Sequence, residues 1–433
     1  MAELTVAELC SALIKFDTSN YGDESSKGER DAAEFIARRL SDAGVEPTLL
    51  EREPLRTNVI ARIRGTEPEL PAILVHAHTD VVPAAAEDWS VHPFSGEIRD
   101  GYVWGRGAID MKDMCATLLS VVDTWAREGR RPRRDVVLAF VADEEDRGEF
   151  GAHWLVDEHR ERFDGVGCAI GESGGFTYHA GGVRFYPIGT AERGTAHIRV
   201  RTTGRAGHAS RRNDDNAVVR LIAALGRITA HEWPVVLTPT VREFLAVAGK
   251  SLGVDVGTDI DESTVDTMLA KLGSAATMVE NTVRNSVTPT VLRAGYKVNV
   301  IPSAATAELD IRVLPGTFDE LFGTLDDLLG PGVEREFITN QPPVQSPIDT
   351  PWFTAMADAL RACDPGAVVL PYCLGGGTDA KAFAQLGIPC YGFAPLRLPA
   401  EFPYRQLAHG VDERVPVDGL TFGVEVLDRF LSG

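Results

Sequence analysis

Residues that bind cations or move protons recur along this chain at the ends of short apolar runs. His78 and Asp80 follow Ala72-Ile-Leu-Val-His-Ala, and Glu144 and Glu145 end Val136-Val-Leu-Ala-Phe-Val-Ala-Asp-Glu-Glu. Glu172 ends Gly167-Cys-Ala-Ile-Gly-Glu. Two further candidates sit in turn-rich loops: Asp110 in Gly105-Arg-Gly-Ala-Ile-Asp-Met-Lys and His409 in Ala408-His-Gly-Val-Asp-Glu-Arg. Taken singly, each has a plain reading. A His-x-Asp is usually a hydrogen-bonded structural pair, and Asp110 would serve as a turn residue. Acids after a strand suit a solvated end or a helix start, and His409 would be a surface histidine. Taken together they point elsewhere, because carboxylates gathered in one crevice repel one another unless a cation neutralises them. Mixed histidine and carboxylate ligation suits zinc, and also manganese or cobalt.

Something must bring these loops together, and the flanking pattern supplies it. Residues 4–16 and 28–43 carry helix-spaced apolar positions such as Ala32, Phe35, Ile36 and Leu40. Apolar runs at 58–63, 72–76 and 136–141 read as buried strands, with a helix over 114–128 between the last two. Strands alternating with helices predict an α/β sheet whose C-terminal strand ends converge on one ligand crevice. From Arg193 the texture changes: alternating strands at 195–202, 286–292 and 306–313, and amphipathic helices at 216–230 and 261–272. That order predicts an α+β unit with one solvated sheet face. After Pro315 helix–strand alternation returns, with helices at 317–329, 351–362, 379–385 and 417–431 and strands at 367–370 and 388–393. The expected organisation is a discontinuous catalytic domain, 1–192 plus 316–433, interrupted by an inserted domain, 193–315. No internal repeat is visible.

The bulk numbers bound the rest. At 433 residues, two domains are the natural expectation, and 44% apolar with 24% charged residues describes a folded chain. A formal charge of −20 argues against nucleic acid and anionic membrane as partners. No apolar run approaches the ~18 residues of a membrane span. Met1-Ala2-Glu3-Leu4 lacks a secretory pattern, and the six cysteines show no paired spacing. A cytoplasmic location is the expectation.

At the level of motifs the chain resembles the co-catalytic zinc peptidases that include aminoacylase, acetylornithine deacetylase, succinyl-diaminopimelate desuccinylase and glutamate-releasing carboxypeptidase. The resemblance runs through almost the whole chain. It rests on His76-Ala-His-Thr-Asp-Val-Val-Pro, Trp104-Gly-Arg-Gly-Ala-Ile-Asp-Met-Lys, Asp143-Glu-Glu, Gly171-Glu-Ser, Asn299-Val-Ile-Pro, Asp310-Ile-Arg-Val-Leu-Pro, Gly375-Gly-Gly-Thr-Asp-Ala and His409-Gly-Val-Asp-Glu-Arg. It implies an α/β zinc-peptidase-like fold, a mixed sheet flanked by helices, with an inserted α+β lid and dimerisation domain. It further implies two Zn2+ per chain, with Co2+ or Mn2+ as substitutes. His78 and Glu172 would hold one ion, Glu145 and His409 the other, and Asp110 both. Glu144 becomes the general base and Asp80 orients the His78 ring.

The chemistry makes physical sense of these roles. One carboxylate shared by two cations keeps them ~3.5–4 Å apart, close enough to acidify one water. Glu144, not spent on metal, can take that water's proton and return it to the leaving amine. The expected reaction is hydrolysis, by a metal-bridged hydroxide, of the peptide or N-acyl amide bond of a small carboxylate-bearing substrate. In the inserted domain the resemblance implies that His208 reaches a partner subunit's active site, which requires a homodimer. Arg312 would clamp the substrate carboxylate, Asn299 would support it, and Gly376 in the glycine triplet would let backbone approach the substrate. The plainer readings are a locally bonded loop histidine and a sheet-face arginine paired with an acid. One departure is Asp113, where the family often has glycine. Two other readings compete. Gly171-Glu-Ser-Gly-Gly matches a nucleophile elbow with Ser173 as nucleophile and His409 as its histidine, but 176–188 lacks the helical period the elbow needs. A non-catalytic binding module that retains the fold is the other.

Overall fold

The computed structural model describes residues 4–23, 25–257 and 260–433; the opening Met1-Ala2-Glu3 lies outside them. The chain divides into two compact units: 1–190 with 346–371 and 378–433, and 191–345 with 372–377.

In the first unit, Val136–Val141 is buried at every position, as a strand covered on both faces must be. It pairs antiparallel with Thr57–Ile63 and parallel with Ala72–His78. Ala72–His78 in turn runs parallel to Val166–Gly171, and that strand parallel to Cys390–Gly392. Parallel neighbours need crossovers. The helix Lys112–Glu128 connects the first parallel pair and stops at Gly129, whose left-handed φ of 63° ends the helical ladder. The helix Ala152–Glu158 precedes the next strand. On one side of the sheet Leu74, Val137, Ala139 and Ala169 pack with Trp154, Leu155, Phe163 and Phe383. The helices Val6–Ile14, Lys112–Glu128 and Val417–Ser432 pack together. The first opens with a capping box between Thr5 and Glu8.

The second unit is a four-stranded antiparallel sheet, in spatial order Ser286–Ala294, Ala304–Val313, Gly194–Thr203 and Val333–Gln341. Burial alternates along Ala304–Val313, so one sheet face is covered and the other wet. Ala307, Leu309, Ile311 and Val313 pack on Leu221, Ala224 and Ile228 of the helix Ala217–Ala230 and on Leu321 and Leu325 of the helix Phe318–Leu329. Truncating one of these leucines to alanine would cost about 2–5 kcal/mol. The structure therefore extends the inserted unit beyond the 193–315 expected. The helix Phe318–Leu329 and the strand Val333–Gln341 belong to this sheet, because Val333–Gln341 pairs along Gly194–Thr203. The helix Pro239–Leu252 and the strand Val183–Glu192 were not anticipated.

Candidate metal centre and active site

Three parallel strands of the first unit end side by side, and at or just past their ends stand His78 to Asp80, Asp143 to Glu145, and Glu172. A small second sheet adds the rest. Tyr102–Trp104 pairs antiparallel with Arg414–Pro416, which brings the loop of Asp110 beside the loop of His409 across about 300 residues of sequence. Both loops depend on glycine. At Gly107, with φ 85°, a Cβ would lie 2.7 Å from Val81 Cγ1, and at Gly410 it would lie 2.2 Å from the Gln406 carbonyl oxygen. Beneath them the buried pair Arg106–Glu413, 2.6 Å apart, joins the two segments. Glu413 also accepts from Ile109 N at 2.8 Å, and Arg106 donates to the His409 carbonyl at 3.2 Å.

Asp110 stands at the centre. Its Oδ1 lies 3.0 Å from His78 Nε2 and its Oδ2 3.1 Å from His409 Nε2. Glu172 Oε2 is 3.6 Å from His78 Nε2, and Glu145 Oε2 is 3.1 Å from His409 Nε2. Two triplets result, His78–Asp110–Glu172 and Asp110–Glu145–His409, each with its ligand atoms within 4.8 Å of one another. Glu144 sits outside both, its Oε2 3.9 Å from His78 Nε2. Asp80 meets the His78 ring with its backbone carbonyl, 3.0 Å from Nδ1, while its carboxylate is 3.7 Å away. That carboxylate accepts instead from the backbone amides of Glu144 and Glu145, at 3.2 and 3.1 Å.

Electrostatically the cluster is short of positive charge. Burial, followed by the charge of Glu172, holds the Glu144 carboxyl well above its usual range, and burial pushes Glu172 up to about 7. The two histidines act as the cations. Hydrogen bonds to Asp110 and Glu145 push His409 up to about 10. Burial opposes a charge on His78, but its bond to Asp110 and the nearby carboxylates of Glu172 and Glu144 win and raise it. Burial likewise works against the charge of Asp110, yet the two histidines hold its carboxyl below the usual range. Glu145 Oε1 is buried without a hydrogen-bond partner. Hard and nitrogen donors in two sets sharing one carboxylate, with an orphaned carboxylate oxygen among them, fit divalent cations.

Several residues were not singled out from sequence. Asp379 is a further buried carboxyl, its Oδ2 without a hydrogen-bond partner, and burial and then Glu172 keep it protonated more readily than usual. Its signal was the Gly-Gly-Gly-Thr-Asp run. Arg106 and Glu413 lie inside quoted motifs but give no sign of being partners. Asp113 is buried in the first turn of Lys112–Glu128, where burial raises its carboxyl well above the usual range. Ser173 does adopt a left-handed φ of 68°, but the chain continues into the strands Tyr178–Ala180 and Val183–Glu192, without the helix of an elbow.

The second unit holds the remaining candidates. Arg312 is gripped by Asp310 at 2.7 and 2.9 Å and donates to Thr195 Oγ1 at 2.9 Å, so three of its five N–H donors are used. Arg193, which joins the strands Val183–Glu192 and Gly194–Thr203, is half-buried and donates to the Gly375 carbonyl at 3.1 Å. His208 and Asn299 come together on an exposed ribbon, Gly207–His208 paired with Val300–Ile301, where Ala209 N donates to Asn299 O at 3.1 Å. His208 Nδ1 bonds Ser210 Oγ at 2.8 Å. A Cβ on Gly376 would meet nothing within 4 Å.

An α/β sheet with histidines and carboxylates converging at its parallel strand ends defines a metallohydrolase. The chain belongs to Peptidase family M20/M25/M40, whose profile matches residues 74–433. It is 30% identical to human Aminoacylase-1 over 92% of its own length and 89% of the relative's. It is 26% identical to the N-fatty-acyl-amino acid synthase/hydrolase PM20D1 of Xenopus tropicalis, over 98% and 85% of the two chains. Its fold is that of an M20 family metallo-carboxypeptidase from Sulfolobus solfataricus, with TM-score 0.72 at 17% identity over 100% and 99% of the chains. It is also that of a dinuclear metal binding peptidase of the M20 family from Bacillus subtilis, with TM-score 0.61 at 15% identity over 99% and 96%. Among the described residues no helix is long and apolar enough to cross a membrane.

Proposed function

We propose that this metallohydrolase cleaves the peptide or N-acyl amide bond of a small substrate with a free carboxylate, using two divalent cations, zinc by preference. One observation carries the reading: two ligand triplets share Asp110, while Glu144 stands beside them and belongs to neither. The names of the relatives support it, since they describe an aminoacylase, an N-acyl-amino acid hydrolase, a carboxypeptidase and a dinuclear metal binding peptidase.

His78, Asp110 and Glu172 would hold one cation, and Asp110, Glu145 and His409 the other. When bound, such ions polarise the amide carbonyl and acidify a water. The chain's own residues do the rest. The carbonyl of Asp80 receives His78 Nδ1–H, which leaves Nε2 as the ligating nitrogen. The Asp80 carboxylate pins the backbone amides of Glu144 and Glu145, so base and ligand keep a fixed relation. Glu144 takes the proton of the attacking water and delivers it to the leaving nitrogen. In the second unit, Arg312 meets the substrate carboxylate with its remaining donors, and Asn299 and the Gly376 backbone support it. His208 acts on the oxyanion of a partner subunit in a homodimer. The exposed Val219, Ile222, Leu292, Tyr296 and Val298 of that unit support a buried dimer face. Six free thiols fit a reducing compartment, the cytoplasm.

The test is metal content by mass spectrometry with turnover of an N-acyl amino acid and dipeptide panel before and after chelation. Two ions per chain and chelator-sensitive turnover are expected. Metal-free protein with chelator-resistant turnover would sink the reading.

A further inference from the structure

The mechanism asks one tight turn, Asp143-Glu144-Glu145, to present a base and a ligand at once. Asp143 takes a left-handed φ of 68°, a conformation that β-carbon sterics disfavour unless something holds it. We propose that Asn20, far upstream of every quoted motif, is the positioning residue that locks this turn.

Asn20 is 5% exposed. Its Nδ2 donates to Asp80 Oδ2 at 2.9 Å and to Asp143 Oδ1 at 3.1 Å. One amide thereby joins the carboxylate that holds the Glu144 and Glu145 amides to the carboxylate of the turn itself. Its orientation is not ambiguous. Oδ1 accepts from Gly22 N at 3.0 Å and from Ser26 Oγ at 3.1 Å, so oxygen faces donors and the NH2 group faces acceptors. The backbone is fixed as well, since Asn20 N donates to Val81 O at 2.9 Å and Val81 N to Thr18 O at 3.2 Å. Asp143 has two other supports, Arg56 Nη2 at 2.9 Å and Phe150 N at 3.2 Å, and Arg56 is itself paired with the buried Glu29 at 3.0 Å.

Two buried carboxylates facing one another repel, and a neutral group with two N–H donors reconciles them without adding charge. Arg56 satisfies Asp143 alone and cannot do this. Remove the Asn20 donors, and Asp80 and Asp143 push apart across the turn that carries Glu144 and Glu145. The strands beneath do not depend on Asn20, so the displacement falls on the turn. Misplacement of about 1 Å at a reacting group is worth about 100-fold in rate.

This inference rests on the proposed metal-dependent hydrolysis, and the experiment separates the two. Asn20→Asp keeps the size, removes both donors and adds a third carboxylate. Asn20→Ser keeps a shorter donor, and Ser26→Ala leaves Asn20 in place but loosens it. Each is compared with wild type by cation titration of the apo protein in a calorimeter, by kcat and KM on the best panel substrate, and by thermal melting. For Asn20→Asp the expected result is kcat lower by about 30-fold or more, KM within about threefold, and weaker-site cation affinity lower by about 10-fold. Asn20→Ser and Ser26→Ala should move the same quantities in the same direction by less, and they decide the matter if Asn20→Asp does not fold. Melting shifts with unchanged kcat and cation affinity in the folded variants would reduce Asn20 to a structural role and overturn the proposal. Wild type that binds no cation and hydrolyses nothing would overturn the functional reading, and this inference with it.

Discussion

In the first unit the candidate residues touch one another: Asp110 reaches both histidines, and each histidine reaches a further carboxylate. In the second unit the candidates are met by their own neighbours, Arg312 by Asp310 and Thr195, and His208 by Ser210. The first arrangement is a high-energy one for a bare protein, with several buried carboxyls competing for two imidazoles, and is relieved by cations. The second is locally paired as it stands, and in the proposed reading it acts only when a substrate meets the donors Arg312 has left or a second chain meets His208. A centre of the first kind should fail abruptly when one ligand is lost. A site of the second kind should weaken gradually and selectively.

Asp110→Ala is the sharpest way to break that comparison. It removes a ligand from both triplets, and turnover should fall by about four orders of magnitude with both cations lost. Retention of two ions per chain by mass spectrometry would mean that Asp110 is not shared. Glu144→Ala should cost about two to four orders in kcat while both ions stay bound, as expected for a general base outside the ligand set. Ion loss in that variant would make Glu144 a ligand. Glu413→Ala strands the Arg106 guanidinium, and urea unfolding should show a loss of about 3–5 kcal/mol. A loss under 1 kcal/mol would show that the two loops are held by something else. Arg312→Ala should raise KM about tenfold for substrates with a free carboxylate and leave amide-capped analogues unchanged. An equal effect on both would assign Arg312 to the sheet alone. The smallest effect is expected for Asn299→Ala, a few-fold in KM, because its side chain is exposed.

What the sequence made legible follows from where the physics is local. Val136–Val141 and 72–75 are uniformly apolar, so the ends of these runs, and the acids and histidines that follow them, could be placed before any contact was known. His409 was placed by its motif and not by its distance from the others. The atom that Asp80 uses was not readable, since residue type does not tell carbonyl from carboxylate. The extent of the inserted unit was misjudged because Val333–Gln341 has charged residues on both faces, with no apolar alternation to announce a strand. The apolar face of Phe318–Leu329 was visible, but not which of two sheets it would cover. Asn20 and Arg56 are single polar residues without periodicity, and only the fold gives them partners.

The segment 191–345 leaves and rejoins the chain at one place. Ala191 is paired with Gln345 and Glu192 with Val344, and just outside them Ser346 N donates to Thr190 O at 2.7 Å. From the standpoint of the hydrolytic unit, everything between these neighbours is a single closed loop, and the entropy of closing a loop rises by only about 0.6 kcal/mol for each doubling of its length. Evolution could therefore lengthen, shorten or exchange that segment while hardly disturbing the folding of the part that does the chemistry. A stable catalytic chassis with a replaceable insert gives one hydrolytic reaction room to diversify in the substrates it accepts.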